Sequence, residues 1–173
     1  MNLLKYYIKI IDAFSEKTGV VVSWLSTALV ISVFYDVIMR YVFKNGSIAI
    51  QELQWHIFSL IFLLGAAFTL KRDGHVRVDI IYIKFNRKTK AWINFICTFI
   101  FLIPFCLVII YSTKMFIIGS WAVREISPDP GGLPFRYLLK AIIPAGFVLL
   151  ILQGISEGFK NLLIITGHDK ETK

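Results

Sequence analysis

The chain has 173 residues, 57% of them hydrophobic and 15% aromatic, with a mean hydropathy of +0.70 and a formal net charge of +8. A soluble domain of this size has too little interior to hide so much apolar surface, which excludes a soluble helical bundle and makes a lipid bilayer the solvent. The positive balance then bears on orientation and anionic lipid, and no aromatic–basic pattern of a nucleic-acid binder is visible.

Residues 3–17 place Lys5, Lys9, Asp12 and Glu16 at helical spacing and Leu4, Ile8, Ile11 and Phe14 on another face. This pattern predicts an amphipathic helix lying in the membrane interface. A cleaved signal peptide is the competing reading; it lacks a small-residue cleavage site, and the apolar run that follows is too long. Spans are predicted at about 20–43, 50–70, 91–118 and 135–160, each long enough to cross roughly 30 Å of hydrocarbon. Asn45-Gly46 marks the turn between the first two. Pro104 predicts a kink in the third, and Pro144 falls near the start of the fourth. The expected class is an all-α integral membrane protein: four transmembrane helices and an amino-terminal interfacial helix in one membrane domain, without internal repeats.

Cys97 and Cys106 lie nine residues apart on the third span. That is about 13 Å along a helix axis, too far to bridge, and regular spacing puts them on opposite faces. With no C-x-x-C, a thiol oxidoreductase is disfavoured. Loop 71–90, the amino segment and the tail hold 13 of the 19 basic residues. The positive-inside rule therefore predicts both termini and loop 71–90 in the cytoplasm and loop 119–134 outside.

Polar side chains within the spans are few. Asp36 and Arg40, four apart, share a face with Ser32, and Glu52 enters the second span at similar depth, followed by His56 and Ser59. An Arg40–Glu52 or Arg40–Asp36 ion pair is expected, tying span one to span two. Two readings stand: a proton or ion relay, or an orienting clamp, and nearness to an interface favours the clamp. Gly65, Ala66 and Ala67 permit close helix approach. Gln153, Ser156, Glu157 and Lys160 form a polar stripe near the end of span four, which reads best as a snorkelling interface end. His75, Arg77 and Asp79 alternate with valines; metal binding there is poorly supported, with Arg in the middle and no second His nearby, and Asp79 is placed to cap a short interfacial helix. Lys84, Arg87, Lys88 and Lys90 are candidates for lipid headgroup contact. No catalytic, cofactor or metal residue is assigned. Only His56 lies inside a span, whereas bis-histidine haem needs two.

Several motifs recur in order along the spans: R-Y-V-F at 40–43, Q-E-L at 51–53, G-A-A at 65–67, G-H-V-R-V-D at 74–79, S-P-D-P-G-G-L-P-F-R-Y at 127–137, I-P-A-G-F at 143–147 and L-Q-G-I-S-E at 152–157. Their order resembles the small membrane subunit, DctQ type, of tripartite ATP-independent periplasmic (TRAP) transporters. Gln51 departs from it, standing where many relatives carry the first Glu of a pair. The resemblance implies a non-catalytic scaffold in the bacterial inner membrane. Its partner is a large multi-span subunit that moves elevator-fashion and carries the substrate and sodium sites. A periplasmic binding protein delivers an organic acid, such as a C4-dicarboxylate or a sialic acid, and docks near loops 44–50 and 119–134. Small residues of span two and the polar ends of spans one and two are expected to set the partner face. The alternative is a homodimeric four-span proton-coupled exporter centred on Asp36.

Overall fold

Helices are the regular structure throughout the described residues, 2–74 and 82–168, of the computed structural model. Four are long and apolar enough to cross a membrane. We label them α1 (Asn2–Tyr41), α2 (Ile48–Lys71), α3 (Arg87–Ala122) and α4 (Arg136–Ile165).

The expected interfacial segment and the first span are one rod. α1 runs unbroken for 40 residues, about 60 Å or twice the hydrocarbon thickness. No proline interrupts residues 15–22, and a lone glycine is tolerated in a helix. Gly19 is moreover packed against the Phe68 ring, where a Cβ would come within 2.4 Å. The half-buried or buried positions Leu4, Ile8, Ile11, Ser15, Val22, Leu29, Ser32 and Asp36 recur at near-heptad spacing along the whole rod, the seam of helices packed almost in line. Phe14, expected on the apolar face, is exposed.

α3 bends its hydrogen-bond ladder where Pro104 stands. Proline has no N–H and its ring crowds the carbonyl four residues back. A π turn over Thr98–Leu102 precedes it, with Ile103 N–H donating to the Thr98 carbonyl five residues earlier. The wide turn absorbs one residue, so the helical phase expected for the cysteines is wrong. Cys97 and Cys106 line the same groove of about 660 Å³, together with Leu70 of α2 and Asn161 of α4. Both thiols are free.

α4 is the hub. It packs on α1, on α2 and along α3, while α1 and α2 form a second seam. Its glycines make this possible. A Cβ at Gly146 would sit 2.7 Å from the Leu63 carbonyl oxygen, and one at Gly154 or Gly158 would meet Leu102 or Phe99 at 2.7 Å. Close approach thus runs through α4, as small-residue packing in membranes does. Gly65 instead faces Val22 of α1 at an ordinary 3.5 Å. The resulting array is open: α3 rests on α4, and Phe34, Phe62, Phe101, Tyr111 and Met115 stay more than half exposed.

Candidate functional site

Two polar clusters close the two ends of the array. The first lies where residues 123–135 connect α3 to α4. Glu52, one turn into α2, is 3% exposed. Its carboxylate accepts from Ser127 Oγ at 2.5 Å, from Leu133 N–H at 2.5 Å and from Arg136 at 3.0 Å. Arg136 also lies 5.5 Å over the Trp55 ring. Gly132 lets the connection reach the acid, since a Cβ there would fall 2.8 Å from Glu52 Oε2. Beside it Lys140 pairs with Glu125 and covers the Phe116 ring at 4.0 Å. The Lys140 ammonium holds the Glu125 carboxyl below the usual carboxylate range.

The expected Arg40–Glu52 pair is therefore absent. Arg40 pairs with Asp36, its neighbour one turn back, and Glu52 ties α2 to α4 and the connection. The contact between spans one and two at this level is Gln54 Nε2 donating to the Ser32 carbonyl at 3.2 Å. His56 Nδ1 lies 2.5 Å from the Glu52 carbonyl oxygen within its own helix. Asp36 is buried, and its Oδ1 has no hydrogen-bond partner among the described residues.

The second cluster lies at the end holding the termini. Gln153, fully buried, accepts from Ser15 at 2.6 Å and donates to Asp12 at 3.1 Å and Glu157 at 3.0 Å. Ser156 donates to Asp12 at 3.1 Å. Lys160 sits 2.7 Å from both Asp12 and Glu157. Glu16 pairs with Lys71 and Arg72 at the end of α2. The stripe expected to snorkel into an interface thus turns inward onto α1, and Asp12 and Glu16 turn with it. Buried polar groups must find partners; that rule was the signal, since Gln153 and Ser156 lie within an apolar helix.

The remaining candidates are dispersed. Lys84, Arg87 and Lys88 are exposed, and Lys90 lies 5.2 Å over the Tyr82 ring. Asn86 caps α3 by accepting from Thr89 N–H at 2.7 Å. His75, Arg77 and Asp79, with the expected Asp79 cap, lie outside the described residues. Ala66 is half-buried. Among the described residues no group of three or more His, Cys, Asp or Glu forms a cluster able to hold a metal. Ser127, Arg136, Glu125 and Asp12 are the residues that spacing along one helix did not reveal.

The family model described as "Tripartite ATP-independent periplasmic transporters, DctQ component" matches residues 29–163. The chain belongs to the DctQ family. Comparison with curated proteins finds no match. This DctQ chain is thus a small membrane subunit of a TRAP transporter, a system that also comprises a larger membrane subunit and a binding protein. The match takes in the whole Glu52 cluster and the α4 side of the second cluster. Asp12, Ser15 and Glu16, the α1 side, precede it, as does Tyr7, whose hydroxyl donates to the Leu152 carbonyl at 3.2 Å.

Proposed function

We propose that this subunit is a fixed scaffold rather than a solute path, holding the larger elevator subunit in the inner membrane during sodium-driven uptake of an organic acid. C4-dicarboxylates and sialic acids are the expected classes. Both termini face the cytoplasm, and the end carrying residues 123–135 faces the binding protein. The observation that carries the scaffold reading is the use of the polar groups: Glu52, Arg136, Glu125, Lys140, Asp12, Gln153 and Lys160 are all engaged in joining helices. A solute path needs polar groups turned to a cavity; here they are spent between elements, while apolar side chains face outward for a neighbour. Tagged purification from native membranes in mild detergent, with mass spectrometry of bound chains, tests this reading. A stoichiometric larger multi-span protein is expected; a particle of this chain alone would overturn it.

The homodimeric exporter keeps one specific observation, the unpartnered Oδ1 of buried Asp36. Under that reading Asp36→Asn abolishes proton-coupled export by the purified chain. Under the scaffold reading the chain alone exports nothing.

A further inference from the structure

We propose that the face of α3 around Lys114 receives a transmembrane helix of the larger membrane subunit, and that this helix brings a carboxylate to the Lys114 ammonium. The proposal rests on the scaffold reading and names the surface through which it works.

Between Ala91 and Ala122, Lys114 is the single charged side chain of α3. It lies eight residues before the helix ends at Ala122, about 12 Å along the axis. It is exposed, and its ammonium has no hydrogen bond, ion pair or aromatic ring within the described chain. Helical side chains incline toward the amino end of their helix. The Cα–Cβ bond of Lys114 is therefore inclined away from the nearer end of α3. A cation left in hydrocarbon is costly and normally faces protein or water.

The surroundings have the shape of a helix seat. Leu107, Tyr111, Lys114 and Ile118 of α3, with Pro144 of α4, line an open groove of about 600 Å³. Apart from the ammonium and the Tyr111 hydroxyl, these side chains are apolar. An apolar groove with one uncompensated cation is complementary to an apolar helix with one anion.

The test uses the full chain co-expressed with the larger subunit, with a photo-reactive phenylalanine analogue at Tyr111. An adduct of this chain with the larger subunit is expected. A phospholipid adduct alone would mean that Lys114 serves a headgroup, and an adduct of two copies of this chain would mean self-association; either overturns the proposal. Failure to recover the larger subunit with the unaltered chain would overturn the scaffold reading itself, and this surface with it. In parallel, Lys114→Gln should lower recovery of the larger subunit on the order of ten-fold while Lys114→Arg retains it. Equal recovery with Lys114→Gln, in a chain of unchanged helical content, would exclude the carboxylate.

Discussion

Glu52 and Arg136 are separated by 84 residues in sequence and by 3.0 Å in space. That ion pair, with Ser127 and the Leu133 N–H on the same carboxylate, fixes the connection between α3 and α4 onto the start of α2. Deleting one partner of such a pair strands the other charge. Glu52→Ala should therefore destabilise the subunit, read as earlier unfolding in a detergent titration. Glu52→Gln, which retains acceptor capacity, should lose less and leave the pH dependence of transport by the assembled system unchanged. A collapse of ion coupling in a fully assembled Glu52→Gln complex would instead assign the acid a place in a relay.

Gly132 is where the connection passes closest to the acid. A Cβ there would meet Ser127 Oγ at 2.3 Å and Glu52 Oε2 at 2.8 Å. Gly132→Ala should displace the Ser127 hydroxyl and destabilise the subunit by about 1–3 kcal/mol. Gly46, which has no neighbour within 4 Å of a built Cβ, supplies the control: Gly46→Ala should change stability little.

Gln153→Leu keeps the bulk and removes the bonds to Asp12, Ser15 and Glu157. Asp12 and Glu157 keep Lys160, so Ser15 is the group left stranded, at about 1–3 kcal/mol, and the amino-terminal part of α1 should loosen from α4. Faster cleavage near Lys5 and Lys9 in limited proteolysis, with residues 29–163 still folded, is the expected result.

Lys44, three residues past the end of α1, lies in the left-handed region with φ of 54°, and the Asn45 N–H closes back on the Met39 carbonyl at 2.9 Å. Side chains pay a steric cost there that glycine avoids. Lys44→Gly should therefore stabilise the hairpin by up to about 1 kcal/mol. Thermal unfolding of the purified subunit measures it.

Glu125 gives the connection a pH dependence of known sign. Lys140 holds its carboxyl below the ordinary carboxylate range. Its contribution is full above the unfolded value and is lost as pH falls through the lowered folded value. The hydrogen-exchange protection of residues 123–135, relative to the intrinsic exchange rate at each pH, should thus be steady through neutral and mildly acidic pH and fall only as pH drops through and below the usual carboxylate range. Glu125→Gln should flatten that response.

Much of this was written in the sequence. Apolar run length and the absence of charge determine four membrane-length helices, because lipid leaves no other partner for the backbone than a helix's own carbonyls. Motif order pointed to the family, and i,i+4 spacing put Asp36 within reach of Arg40, because both are local in the chain; that Arg40 takes Asp36 and not Glu52 was decided by the fold. The tertiary structure alone decided the rest. The π turn before Pro104 changed the helical phase and brought Cys97 and Cys106 to one groove, which a regular period cannot anticipate. Glu52 chose Arg136 over Arg40, and Gln153 chose Ser15 and Asp12 over an interface, because a buried polar group takes whichever partner the packing of other helices brings within reach. In this chain the glycines of α4 set that packing.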